Sequence, residues 1–211
     1  MTNKRPIVVA VGGFSSNVGK TTLVCDLLKA LPGWEAIKLS RGHYRSCGRD
    51  PEACCVSDLL REVPVVRSGR EANYGVGKDT GRFWDSGAVN VHWVIVDDDQ
   101  VEAGVNEAIS RVESEGVFIE GNSFLEYIDA DFAIMCARAD GGTIKSSARA
   151  TISKCQALFL SSLNNGHEDP REEFTKWHSA LPVTISLERL SIFTAAEFSQ
   201  LVQLIKRVLT I

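Results

Sequence analysis

Pro6-Ile-Val-Val-Ala-Val-Gly-Gly-Phe-Ser-Ser-Asn-Val-Gly-Lys-Thr-Thr-Leu-Val-Cys-Asp26 is the stretch on which the fold turns. A β-branched apolar run, Ile7 to Val11, gives way to Gly12-Gly13, a short polar loop and Gly19-Lys20-Thr21-Thr22. From Leu23 the apolar residues recur at helical spacing. Strand, glycine-rich loop and helix in that order are the context of a phosphate-binding loop. Backbone N–H groups of such a loop, and of the helix start behind it, converge on one concavity and favour an anion. Gly13, Ser15, Ser16, Asn17, Val18, Gly19, Lys20, Thr21 and Thr22 are therefore expected to line the phosphates. Lys20 supplies a point charge for the β- and γ-phosphates, and the Thr21 hydroxyl one ligand to Mg2+. Five residues, beginning with Phe14, separate Gly13 from Gly19, one more than the standard motif has. An ordinary glycine-rich turn with a solvated lysine is the alternative, and the strand and helix flanks disfavour it.

At 211 residues the chain is expected to be one domain with a full core. Its 44% hydrophobic and 24% charged content is ordinary for a soluble globular protein. A net charge of −4 offers no general attraction to nucleic acid or an anionic membrane, so neither is expected as a partner. No apolar run approaches transmembrane length. The run Ile7 to Val11 leads straight into the loop, so it reads as a buried strand and not as a signal peptide. A cytoplasmic protein is expected.

Helices are expected at Leu23 to Leu31, Val56 to Arg61, Thr80 to Ser86, Val101 to Val112, Ile144 to Ile152, Arg171 to His178 and Ala195 to Leu209. Strands are expected at Trp34 to Leu39, Val63 to Val66, Val89 to Val96, Val117 to Glu120, Phe132 to Ala137, Gln156 to Ser161 and Pro182 to Ile185. Continuous apolar strands alternating with helices indicate a parallel sheet covered on both faces. The expected fold class is an α/β P-loop NTPase three-layer sandwich with a mostly parallel central sheet. A Cys- and Arg-rich insertion interrupts the pattern at about residues 40–79.

Cys25, Cys136 and Cys155 stand in apolar elements and read as small buried hydrophobes. Cys47, Cys54 and Cys55 lie in the insertion, with His43 as a conceivable fourth ligand. Their C-x6-C-C spacing departs from the paired C-x2-C of Zn and Fe–S sites, which favours plain loop thiols. Arg41, Arg45, Arg49, Arg67 and Arg70 could hold an anionic substrate or form a solvated face.

Ligands of parallel sheets bind at the carboxyl ends of the strands. Glu120 ends the Val117 strand and should face the phosphate loop there, holding Mg2+ directly or through water. The blander reading is a carboxylate that caps the next turn.

Three stretches carry a family resemblance: Gly13 to Thr22, the block Gly77-Lys78-Asp79-Thr80-Gly81-Arg82-Phe83-Trp84-Asp85-Ser86-Gly87-Ala88, and Ile119-Glu120-Gly121. Together they resemble the bacterial molybdopterin-guanine dinucleotide biosynthesis adaptor protein B family. The resemblance implies a GTP-binding, Mg2+-dependent accessory protein with slow hydrolysis, often dimeric, working with a cofactor-maturation enzyme on a pterin-type anionic molecule. It implies Lys20, Asp79 and Glu120 as the catalytic set, with Thr21, Glu120 and Asp79 at the metal. Arg82 would stand with Asp79 near the γ-phosphate or the pterin side. The longer loop and Glu120-Gly121 are also similar to dethiobiotin synthetase, which implies an ATP-dependent ligase or kinase as the alternative. No Asn-Lys-x-Asp guanine motif is present, and Asn164 could pair with a base edge, so GTP and ATP both stand as the nucleotide.

Overall fold

The computed structural model describes residues 5–42, 56–161, 169–181 and 185–211. Among the described residues eight strands form one sheet: β1 (Ile7–Gly13), β2 (Glu35–Arg41), β3 (Val65–Ser68), β4 (Val91–Val96), β5 (Gly116–Glu120), β6 (Phe132–Arg138), β7 (Ala157–Ser161) and β8 (Ser191–Thr194). Their order across the sheet is β3-β4-β2-β5-β1-β6-β7-β8. Every pairing is parallel except β3 with β4. β1 therefore runs down the middle, between β5 and β6, and delivers its carboxyl end to the centre of one sheet edge.

The helices are α1 (Lys20–Ala30), α2 (Arg70–Asn73), α3 (Asp79–Asp85), α4 (Val101–Ser110), α5 (Ser146–Thr151), α6 (Pro170–Ser179) and α7 (Phe198–Leu209). Strand alternation decides which helices cover which face. Val8 and Ala10 of β1 pack in one buried cluster with Val101, Val105 and Ala108 of α4, Ala148 of α5 and Phe174 of α6. Val9 and Val11 pack in the other with Leu23, Val24, Leu27 and Leu28 of α1, Phe83 of α3, and Leu201 and Ile205 of α7. The result is a three-layer α/β sandwich with helices on both faces. α1 is seated by its apolar stripe, each fully buried leucine or valine contributing about 1.5–3 kcal/mol relative to exposure.

Several elements differ from their expected form. The strand expected at Pro182 to Ile185 falls on residues 182–184, outside the described residues, and Ile185 is not in a strand. The strand that extends the sheet beyond β7 is Ser191–Thr194. It is short and carries one strongly apolar pair, Ile192-Phe193, so its signal was weak beside the more apolar run upstream. The helix expected at Val56 to Arg61 is a single 3-10 turn, Ser57–Leu59. Within the expected insertion at about residues 40–79, β3 runs to Ser68, and α2 follows Gly69. β3 is the antiparallel edge strand, a position that tolerates the proline just before it. Cys25, Cys136 and Cys155 are buried free thiols, as their apolar settings implied. Among the described residues no helix is long and apolar enough to cross a membrane.

Candidate functional site

The loop after β1 is shaped by close packing. A Cβ on Gly13 would lie 2.5 Å from Val18 Cγ2 and 3.0 Å from the Lys20 stem, so only hydrogen fits there. Gly19 takes the left-handed backbone, φ 85°, immediately before α1. Phe14, the residue that lengthens the motif, leaves the polar loop and is buried. Its ring lies 6.3 Å from Phe174 and 6.2 Å from Trp177. Its N–H donates to Cys136 O at 2.9 Å and its carbonyl accepts from Lys145 N at 2.8 Å. The extra residue thus belongs to the core, and it ties the loop to β6 and α6.

α1 begins with no side-chain cap and no acidic residue in its first turn. Its leading N–H groups have no side chain competing for them, the condition under which a helix start attracts an anion. Lys20 Nζ curls back to donate to Ser15 O at 3.1 Å. Burial lowers its pKa, with Glu120 pulling in the opposite direction. Lys145 Nζ donates to Ser16 Oγ at 3.0 Å, adding a second ammonium at the loop.

Asn122, just past β5, holds the strand end. Its Oδ1 accepts from Gly13 N at 2.7 Å and its Nδ2 donates to Gly13 O at 2.8 Å. The β1–β5 ladder closes at the Gly121 N–H to Val11 O bond of 3.1 Å. The Asn122 amide supplies the next rung in place of a peptide.

The acidic side of the site follows from register. Glu120 pairs with Val11 on one side and Lys38 on the other, so Lys38 and Glu120 are cross-strand neighbours. Both share the alternation phase of Phe118 and Ala36, the face covered by α1 and α3. Thr21 Oγ1 donates to Glu120 Oε2 at 2.9 Å. Lys38 Nζ donates to Glu120 Oε1 at 2.7 Å and lies 2.6 Å from Asp79 Oδ2. Burial alone would depress the Lys38 ammonium, but Glu120 and Asp79 outweigh it and raise the pKa. Burial pushes the Asp79 carboxyl up, and Lys38, Thr21 and Arg82 together hold it below its ordinary value. Arg82, one turn along α3, reaches Thr22 Oγ1 with its NH2 at 3.0 Å.

A cavity of about 460 Å3 opens between these groups. It is lined by Ser16, Asn17, Val18, Gly19, Lys20, Thr21, Thr22, Lys38, Asp79, Arg82 and Glu120. Glu120, Asp79 and Thr21, expected from the sequence to share a metal, thus border the same space as the loop. Asp79 arrives on the first residue of a helix rather than on a long loop. Gly13 and Ser15 shape the loop from behind without lining the cavity. Asn164, His43, Cys47, Cys54, Cys55, Arg45 and Arg49 lie outside the described residues. Of the remaining arginines, Arg41 pairs with Asp98 at 3.1 Å, and Arg70 lies over the Tyr74 ring at 4.0 Å. Arg67 lies over Trp93 at 5.6 Å, so these three are engaged with protein partners. Among the described residues no three of His, Cys, Asp and Glu gather as a metal cluster. A cation here would rest on two carboxylates, the Thr21 hydroxyl, phosphate oxygens and water, a hard-oxygen set suited to Mg2+.

Lys38, Asn122 and Lys145 join the site only through tertiary contacts. For Lys38 the signal was present: a lysine between the apolar Ala36-Ile37 and Leu39 of a mostly buried strand. For Asn122 and Lys145 no local pattern marks a partner more than a hundred residues away.

Sheet, loop and cavity together define a three-layer α/β protein with a glycine-rich loop and an open cavity at the carboxyl end of its central strand. No protein-family model matches the chain, and no curated protein matches it significantly. Among solved structures it is similar to a plasmid partition protein from Borrelia burgdorferi, at 9% identity and a TM-score of 0.44, over 97% of this chain and 99% of that one. It is also similar to the signal recognition particle receptor FtsY from Elizabethkingia anophelis, at 13% identity and a TM-score of 0.42, over 95% of this chain and 66% of that one. Likenesses this remote assign no function.

Proposed function

We propose that this chain binds a nucleoside triphosphate, GTP or ATP, together with Mg2+, and hydrolyses it slowly as an accessory protein. The observation that carries the reading is convergence. The uncapped start of α1, the Lys20 ammonium and Arg82 line one cavity together with Thr21, Glu120 and Asp79. The first three suit phosphate oxygens, and the hydroxyl and two carboxylates suit a hard divalent cation.

In this reading Lys20 leaves the Ser15 carbonyl and pairs with the β- and γ-phosphates. Loop N–H groups from Ser16 to Gly19 hold the β-phosphate. The Thr21 hydroxyl oxygen, Glu120 and Asp79 would hold Mg2+, directly or through water, and the ion would supply positive charge to the triphosphate. Arg82 stabilises negative charge on the γ-side. The sequence resemblance to the adaptor protein B family supports a role in molybdenum-cofactor maturation, in which a dimer serves a partner enzyme and a pterin-type anion.

Two variants test this. Lys20→Ala should cost triphosphate binding at least tenfold, since a lost charge-assisted contact is worth ~1.5–3 kcal/mol. Glu120→Gln and Asp79→Asn should each weaken Mg2+-dependent hydrolysis more than nucleotide binding in EDTA. Unchanged affinity in Lys20→Ala would overturn the reading. Phosphate release that requires a small substrate, with a phosphorylated or ligated product, would favour a ligase or kinase of the dethiobiotin synthetase type. Hydrolysis raised by a partner protein would favour the accessory role.

A further inference from the structure

The two carboxylates of the cavity already have a cation. Lys38 Nζ lies 2.7 Å from Glu120 Oε1 and 2.6 Å from Asp79 Oδ2, and the lysine side chain is only 17% exposed. Mg2+ binds carboxylate oxygens at about 2.0–2.1 Å. An ammonium and a divalent ion on the same oxygens would stand within a few ångströms of each other, and like charges that close repel strongly. Direct Mg2+ coordination by these two oxygens and the ammonium's contacts with them therefore exclude each other. Lys38 also lines the cavity, so an ammonium pushed off the carboxylates has open space beside the phosphate loop to move into.

We propose that Lys38 is a positioning residue that gates the metal site. It holds Asp79 and Glu120 as their internal counter-ion, and it yields them only when a phosphate chain offers its ammonium another partner. Metal entry and nucleotide entry are thereby coupled through one side chain. Mg2+ gains the carboxylates in the same move that turns Lys38 toward the phosphates. Without nucleotide the ammonium has no comparable anion to move to, so free divalent cation competes poorly. This inference rests on the triphosphate reading above, but its test can fail separately.

The probe is Mn2+, which shares the oxygen preference of Mg2+ and is visible by electron paramagnetic resonance. Mn2+ is titrated into nucleotide-free protein, wild type against Lys38→Met and Lys38→Arg. Lys38→Met should bind Mn2+ at least tenfold more tightly than wild type, and Lys38→Arg, which keeps the cation, should not. Equal Mn2+ affinity in wild type and Lys38→Met overturns the gate. Lys38→Met leaves two acids facing each other and could fail to fold. The charge-reduced pair Asp79→Asn with Lys38→Met is then compared with Asp79→Asn alone, and the double variant should again bind Mn2+ more tightly. No gain in the double variant overturns the gate equally. Triphosphate binding by wild type in EDTA is measured alongside. Its loss would refute the nucleotide reading, whereas the Mn2+ comparison speaks to Lys38 alone.

Discussion

Replacing Asn122 with alanine removes the last rung between β1 and the β5 edge. The asparagine amide accepts from Gly13 N at 2.7 Å and donates to Gly13 O at 2.8 Å, with a longer contact of 3.3 Å to Ser147 Oγ. The reverse amide orientation would set an NH2 group against the Gly13 N–H, so the hydrogen bonds themselves fix which atom is oxygen. Gly13 is buried, and its neighbour Phe14 uses the other side of the strand to bond Cys136. Alanine would leave a buried donor and a buried acceptor without their partner. Each unsatisfied group costs about 1–3 kcal/mol, and partial access of water lowers the sum to about 2–4 kcal/mol. For a chain of this size 1 kcal/mol moves Tm by about 2–4 °C, so a fall of about 4–16 °C is expected. Scanning calorimetry on Asn122→Ala measures it. Asn122→Asp sharpens the test, since it keeps the acceptor for Gly13 N–H but sets a carboxylate oxygen against Gly13 O. It should be at least as unstable as the alanine variant at neutral pH and recover partly in acid, where the protonated carboxyl can donate. A Tm within about 2 °C of wild type for Asn122→Ala would refute the reasoning.

Phe14→Ala should destabilise by about 3–5 kcal/mol, because a buried ring leaves the Phe174–Trp177 cluster; urea midpoints near the wild-type value would show the loop's extra residue to be dispensable to the core. Acid stability should depend on Glu35, which accepts from Glu113 N and Ser114 N, both at 2.8 Å, and pairs with His92 at 2.7 Å. Burial pushes its carboxyl up, but the His92 ring and the two N–H groups outweigh burial and hold it below its ordinary value. A depressed folded-state pKa contributes stability that is present above the unfolded carboxylate range and is lost as pH falls through the folded value. Glu35→Gln should therefore flatten the acid limb of the stability curve, and an identical acid slope in the variant would count against this role.

Local order was legible because short-range physics writes it. Residues 6–26 carry the strand, loop and helix in their own alternation and glycine placement, and they sit in the structure where that pattern puts them. The carboxylate at the end of β5 was legible for the same reason: a continuous apolar run that stops on an acid has one place to put it. Tertiary structure decided the rest. The order β3-β4-β2-β5-β1-β6-β7-β8 brings Lys38 beside Glu120 and Asn122 beside Gly13 through pairings no window of sequence encodes. The edge strands β3 and β8 have four residues each, none fully buried in β3 and two in β8, so their own composition says little. Phe14 looked like an interruption of a polar motif until α6 and β6 closed over it. Periodicity and turn chemistry are properties of consecutive residues, whereas a counter-ion or a missing ladder rung belongs to whichever strand the fold places next door.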